Sequence, residues 1–119
     1  MSKQARILTA DDKRPTRGGL HALLNEFPGV DWVGEARDGG EAVALVAKLD
    51  PDVVLMDVRM PVMDGLEATR RIKSQRPQTK VIVLTMYAEY EDDALAAGAD
   101  QFLLKGVASS VLQQALLSA

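Results

Sequence analysis

Residues 53–61 read VVLMDVRMP: four consecutive apolar residues, an aspartate, and a short segment that ends in proline. A short apolar run without alternating polar positions is typical of a strand that is covered on both faces of a parallel sheet. We therefore predict a central strand over Val53–Met56, with Asp57 at its carboxyl end. Functional groups gather at that edge of parallel α/β sheets, so Asp57 is the first candidate site residue.

Four further strand-like runs lie on either side of this stretch. The predicted strands are Arg6–Ala10, Trp32–Ala36, Val53–Met56, Val81–Leu84 and Phe102–Leu104. Between and after them, apolar residues recur at the spacing of one helix face. These helical patterns are Leu20–Phe27, Ala42–Leu49, Asp64–Gln75, the alanine-rich Tyr90–Ala97 and Ala108–Leu116. Gly98 stands where a left-handed cap would close the fourth helix.

This alternation predicts one α/β domain over residues 1–119. We expect a flavodoxin-like, doubly wound parallel sheet of five strands in the order 2-1-3-4-5, with five helices. A chain of 119 residues fits one such domain. The last helical pattern runs to Ala119 without a glycine cap, so we expect the natural protein to continue beyond it.

Composition narrows the function classes. With 14 basic and 17 acidic residues the net charge is −3, which argues against a nucleic-acid-binding surface on this domain. The chain has no cysteine, which excludes disulfides and thiolate metal sites. It shows neither an apolar run long enough to cross a bilayer nor a signal-peptide core, so we expect a cytoplasmic protein without membrane contact.

Reactive residue types stand at four of the five predicted strand ends. Asp11 and Asp12 follow the first strand, Thr85 ends the fourth, and Lys105 follows the fifth. In the predicted strand order these side chains converge on Asp57. Carboxylates held this close repel one another, and a hard divalent cation such as Mg²⁺ relieves that repulsion.

We predict Asp12 and Asp57 as direct Mg²⁺ ligands, with Asp11 acting through a bound water. The main-chain carbonyl of Arg59 is a further predicted ligand. A carboxylate in such a site can attack phosphorus and form an aspartyl phosphate. Lys105 would then balance the phosphoryl charge, and the hydroxyl of Thr85 would donate a hydrogen bond to it.

These motifs resemble the receiver domain of two-component response regulators. The resemblance covers essentially the whole chain and rests on five stretches, which are Asp11-Asp12, residues 53–61 around Asp57, residues 63–71 (MDGLEATRR), residues 81–85 (VIVLT) and residues 98–105 (GADQFLLK). Within the family, the chain is most similar to the class whose receivers usually precede a LuxR-type helix-turn-helix DNA-binding domain.

The resemblance implies that Asp57 is phosphorylated by a sensor histidine kinase or by small acyl phosphates. It implies that Thr85 and Phe102 form the switch pair, which remodels the face of the fourth helix, fifth strand and fifth helix. It further implies signal transduction to transcription through a domain outside this chain, and it leaves a homodimer open. The domain would promote its own phosphorylation and dephosphorylation rather than act as an enzyme on a separate substrate.

Several positions depart from the family pattern. Lys13 follows the acidic pair where histidine is common in this class, and Met86 stands where a small residue is more usual. The interval from Thr85 to Gly98 is short, which predicts a short or displaced fourth helix. Lys105 is followed by Gly106 and not by proline.

Three alternative functions remain open at this stage. A phosphatase would carry a second acidic residue two places after its nucleophile, where this chain has Arg59. A flavin-binding electron carrier shares the topology, but Asp11 and Asp12 would repel the cofactor phosphate. The third alternative is an interaction module that works without phosphate.

A finer hypothesis is that Arg59 and Tyr87 shield an acyl phosphate on Asp57 from water.

Overall fold

The computed structural model describes residues 4–118, so the ends of the predicted domain 1–119 lie outside the described residues. The strands are β1 (Ala5–Ala10), β2 (Val30–Ala36), β3 (Val53–Met56), β4 (Lys80–Thr85) and β5 (Gln101–Leu104). The α-helices are α1 (Arg14–Asn25), α2 (Gly39–Leu49), α3 (Gly65–Gln75), α4 (Glu91–Ala96) and α5 (Ser109–Leu117). A single 3₁₀ turn, Ala88–Tyr90, precedes α4.

The five strands form one parallel sheet in the order β2-β1-β3-β4-β5, as predicted. β3 is buried along its whole length and β4 from its second residue onward, because both lie inside the sheet and are covered on both faces. The register pairs Ala10 with Met56 and Thr85 with Leu104. The carboxyl ends of β1, β3, β4 and β5 therefore lie side by side.

Alternate strand residues feed two cores, one on each face of the sheet. Leu8, Val54 and Val83 pack against α2 and α3 through residues such as Val46 and Ile72. Ile7, Leu55 and Ile82 face the other way, where Leu24 of α1 and Leu116 of α5 cover them. Full burial of one such side chain contributes about 2 kcal/mol to stability. These two layers fix the sheet, and the sheet fixes the position of its carboxyl edge.

The largest departure from the predicted elements is in α1, which spans Arg14–Asn25 where the apolar stripe predicted Leu20–Phe27. The segment after β4 also differs. The sequence predicts a helix over Tyr90–Ala97, whereas the structure has the 3₁₀ turn followed by a helix of only 6 residues. The expected shortness of this helix is confirmed. Gly98 has the predicted left-handed conformation, with φ of 103°. β2 begins at Val30, two residues before the predicted start at Trp32, because residue 30 pairs with Ala5.

Within residues 4–118, none of the helices combines the length with the apolar character that a membrane crossing requires.

Candidate functional site

Main-chain hydrogen bonds hold the strand ends together at the carboxyl edge of the sheet. The N–H of Asp57 donates to the carbonyl of Ala10 (3.0 Å), and the N–H of Asp11 donates to the carbonyl of Ala36 (3.0 Å). The N–H of Lys105 donates to the carbonyl of Thr85 (2.8 Å). The residues that the sequence singled out are thus brought to one edge by the sheet itself.

Asp57 is buried at the tip of β3, with 5% of its surface exposed. One carboxylate oxygen, Oδ1, accepts a hydrogen bond from the main-chain N–H of Val58 (2.8 Å). The loop then folds back, and the N–H of Gly65 donates to the carbonyl of Val58 (2.8 Å). A Cβ atom at position 65 would overlap the carbonyl oxygen of Asp57, so only glycine allows this close approach.

Lys105 bridges two of the three carboxylates. Its Nζ donates to Asp11 Oδ2 at 2.7 Å and to Asp57 Oδ2 at 3.2 Å. Burial by itself would lower the pKa of Lys105, but the hydrogen bond to Asp11 and the charges of Asp57 and Asp11 outweigh it. The pKa of Lys105 therefore lies above its ordinary value, and the side chain stays a cation at neutral pH.

The pKa of Asp57 is raised above its ordinary value. Burial is the largest cause, and the negative charge of Asp11 adds to it. The charge of Lys105 and the hydrogen bonds from Val58 and Lys105 lower this pKa without cancelling the rise. An additional cation at the site would therefore stabilise the ionised form of Asp57.

The carboxylates of Asp11, Asp12 and Asp57 form one cluster, in which a ligand oxygen from each lies within 4.8 Å of the others. Asp11 and Asp57 are buried, whereas Asp12 is exposed at the mouth. The single ammonium of Lys105 contacts two of these three carboxylates and cannot balance all of them, so the cluster keeps a negative charge. Hard oxygen donors with excess negative charge fit a small divalent cation such as Mg²⁺.

Thr85 and Phe102 occupy the neighbouring strands β4 and β5. Thr85 is fully buried, and its Oγ1 accepts a hydrogen bond from the N–H of Tyr87 (3.4 Å). Phe102 is half-buried and packs against the core cluster on the α2 and α3 face. Phe102 pairs with Val83, two residues before Thr85 in the strand.

Arg59, which with Tyr87 was hypothesised to shield the acyl phosphate, lies in a cluster with two tyrosines. Its guanidinium lies 3.8 Å from the ring centroid of Tyr87, and its Nε donates to the hydroxyl of Tyr90 at 3.1 Å. The rings of Tyr87 and Tyr90 meet edge to face. The part played by Tyr90 was missed because it lies 31 residues from Arg59 and belongs to no motif.

A second residue missed by sequence reasoning is Arg17. Its Nη1 donates to the main-chain oxygen of Asp11 at 2.9 Å. The only sequence signal was a cation one turn after the start of a helix that follows the acidic pair, and that signal is common on solvent-exposed helix faces.

Comparison with known proteins gives a consistent result. The chain matches the response regulator receiver domain family over residues 7–117. It is 41% identical over 118 residues to the transcriptional regulatory protein LiaR of Bacillus subtilis. This alignment covers 96% of this chain and 55% of LiaR. The chain thus spans about half the length of the curated relatives it matches.

Solved structures of response regulators superimpose closely on this chain. The signal receiver domain of the response regulator NarL from Mycobacterium tuberculosis superimposes with a TM-score of 0.91 at 33% identity, covering 98% of this chain and 95% of that one. A two-component response regulator of the LuxR family from an Aurantimonas species gives a TM-score of 0.90 at 34% identity, covering 96% of this chain and 83% of that one.

Proposed function

The chain belongs to the response regulator receiver domain family, and we propose that it is a phosphoryl-accepting switch with Asp57 as the acceptor. The observation that carries the proposal is the bridge from Lys105 Nζ to Asp11 and Asp57, at 2.7 and 3.2 Å, beside a third carboxylate from Asp12. Nucleophile, compensating cation and candidate metal ligands thereby share one small volume. Phosphoryl transfer requires chiefly such positioning and charge neutralisation.

We assign the metal ligands as the sequence suggested. Asp12, Asp57 and the main-chain carbonyl of Arg59 would hold Mg²⁺, with Asp11 acting through water. Bound Mg²⁺ supplies charge neutralisation for the acceptor carboxylate and for the phosphoryl oxygens. The all-oxygen donor set and the raised pKa of Asp57, which is caused first by its burial, support this assignment.

The transfer itself is a displacement at phosphorus. A carboxylate oxygen of Asp57 forms the new P–O bond while the bond from phosphorus to the donor breaks, and Lys105 compensates the charge of the phosphoryl group. Because the hydroxyl of Thr85 accepts a hydrogen bond from Tyr87, its own hydrogen is left to donate to a phosphoryl oxygen. Attack by water on the same phosphorus later releases phosphate, so the domain promotes both its phosphorylation and its dephosphorylation.

Phosphorylation of Asp57 would change the position of Thr85 and, through it, that of Phe102. Phe102 is only half-buried, so part of its ring lies outside the core and would turn inward when Thr85 moves toward the phosphoryl group. The surface formed by α4, β5 and α5 would then change its affinity for a partner.

We propose a sensor histidine kinase as the donor, with a homodimer as one form of the active state. Output would be control of transcription through a domain beyond the single receiver domain at 1–119. The names and the greater length of the relatives support this reading.

The test is chemical. Wild type and Asp57→Asn are treated with a small acyl phosphate and Mg²⁺, and their intact masses are measured. We expect wild type to gain one phosphoryl group, and neither Asp57→Asn nor wild type in a chelator to gain any. No gain in wild type with an active donor would favour a phosphate-independent module, and sustained turnover of a phosphate ester would favour a phosphatase.

A further inference from the structure

Arg17 is a largely buried cation beside the acidic cluster, and the proposed function leaves it unexplained. Its side chain is 11% exposed, and Nη1 donates to the main-chain oxygen of Asp11 at 2.9 Å. Its Nε lies 3.8 Å from a carboxylate oxygen of Glu35, which is too far for a hydrogen bond, and has no hydrogen-bond partner among residues 4–118.

The contact with Glu35 does not account for this burial. A guanidinium loses much favourable hydration when it is buried, and a carboxylate that is 41% exposed and not hydrogen-bonded to it restores little. The well-formed contact of Arg17 is the one with the Asp11 carbonyl. That carbonyl belongs to the peptide that joins Asp11 to Asp12.

Asp12 depends on that peptide for its orientation. The carboxylate of Asp11 is held by the N–H of Lys13 (2.8 Å) and by Lys105 (2.7 Å), and that of Asp57 by Val58 (2.8 Å) and Lys105. Asp12 is exposed. Among residues 4–118, the side-chain hydrogen bonds at this loop are made to the carboxylate and carbonyl of Asp11 and not to the carboxylate of Asp12. Repulsion from the two buried carboxylates would turn the Asp12 side chain away from the cluster.

We propose that Arg17 is a positioning residue for the divalent-cation site. By binding the Asp11 carbonyl, it fixes the peptide between Asp11 and Asp12 and keeps the Asp12 carboxylate turned toward Asp57. This inference rests on the proposed function, because it requires Mg²⁺ at the cluster.

Charge and positioning predict opposite results when Arg17 is removed. If Arg17 acted only as a nearby positive charge, its loss would tighten the binding of a cation. If it orients a ligand, its loss weakens binding, by 10- to 100-fold for residues that support metal ligands in this way. The direction of the change therefore separates the two explanations.

The experiment is a calorimetric titration of Mg²⁺ into wild type and three variants, each checked for folding by circular dichroism. We expect Arg17→Met to bind about tenfold more weakly than wild type. Arg17→Lys keeps the charge and N–H donors but loses the planar fork of the guanidinium. Its affinity for Mg²⁺ should fall between those of wild type and Arg17→Met. Arg14→Met removes an equal charge from the exposed first turn of the same helix, and should bind as wild type or slightly more tightly.

Equal or tighter binding by a folded Arg17→Met would overturn the inference while leaving the proposed function intact. If Arg17→Met does not fold, Arg17→Lys decides: weaker binding supports the positioning role, and wild-type binding overturns it. If wild type itself binds no Mg²⁺, the metal assignment of the proposed function fails, and the inference fails with it.

Discussion

The segments that follow β3 and β4 are built in opposite ways. After β3, the N–H of Gly65 donates to the carbonyl of Val58 (2.8 Å), and the Asp64 side chain caps α3, a helix of 11 residues. After β4, the chain makes a 3₁₀ turn and a helix of 6 residues that has no side-chain cap. Met86 and Leu95 of that segment are 67% and 48% exposed.

This difference separates the chemistry from its readout. An acceptor must keep its geometry, and tight main-chain bonding around Asp57 provides that. A readout must change shape at low cost, and segments with few buried apolar contacts do so most readily. We infer that the β3 side fixes the phosphoryl group, and that the segment between Thr85 and Gly98 is the part that responds.

The most severe test of this contrast replaces one glycine on each side. Gly65→Ala places a Cβ against the carbonyl of Asp57, and should cost about 3 kcal/mol of unfolding free energy because backbone must move. Gly98→Ala meets no backbone atom and only the Lys73 side chain, at 3.2 Å from Cγ, with φ of 103°, and should cost about 1 kcal/mol because of the left-handed backbone. Denaturant unfolding measures both. Equal losses of unfolding free energy would contradict the distinction between a rigid segment after β3 and a loosely held segment after β4.

The second test concerns the cluster that joins the two sides. Arg59→Ala combined with Tyr87→Ala should shorten the half-life of the phosphorylated protein about fivefold, equivalent to about 1 kcal/mol in barrier, because water reaches the acyl phosphate more easily. Tyr90→Phe removes only the hydroxyl that accepts from Arg59, and should have a smaller effect. Intact mass measured over time gives the rate at which each phosphorylated protein loses phosphate. An unchanged half-life in the double variant would contradict the shielding hypothesis.

The third test uses pH in metal-free buffer. Because burial raises the pKa of Asp57 in the folded state, protonation of Asp57 stabilises the fold at acidic pH, and this stabilisation is lost as pH rises through the folded-state pKa. Asp57→Asn should therefore be more stable than wild type at pH 7, by roughly 1 kcal/mol, with the difference shrinking toward acidic pH. The control, Asp92→Asn, changes an exposed acid. A difference independent of pH would contradict the assigned cause.

The smallest expected effect on stability is in the loosely held segment after β4. Leu95→Ala on α4 should change the unfolding free energy by less than about 0.5 kcal/mol, because the side chain is half exposed. Ile72→Ala on α3, which is 1% exposed, should cost about 3 kcal/mol. A loss at Leu95 comparable with that at Ile72 would show that α4 is held more firmly than its contacts indicate.

Sequence patterns predicted the fold well where burial is uniform. The apolar run Val53–Met56 gave the bounds of β3 without error, because no polar residue interrupts a strand that is covered on both faces. The fourth helix was placed one residue too far in each direction around Glu91–Ala96. Its alanine-rich pattern offers little contrast between faces, and the 3₁₀ turn at Ala88 leaves no separate signal.

The candidate site divides in the same way. The strand-end rule brought Asp11, Asp57 and Lys105 together in advance, because it depends only on strand order. The contact of Arg17 with the Asp11 carbonyl and that of Arg59 with Tyr90 depend on side-chain reach between elements, which periodicity does not encode. The left-handed Val62, with φ of 69°, was also missed, since β-branched residues rarely adopt that conformation.

The most direct test of the central claim is a crystal structure with Mg²⁺ and a beryllium fluoride mimic of the phosphoryl group. We predict the mimic on the Asp57 carboxylate, within hydrogen-bond distance of Lys105 Nζ and Thr85 Oγ1, and the ion bound by Asp12, Asp57 and the carbonyl of Arg59. A mimic bound to another carboxylate, or an ion outside the cluster of Asp11, Asp12 and Asp57, would contradict the account.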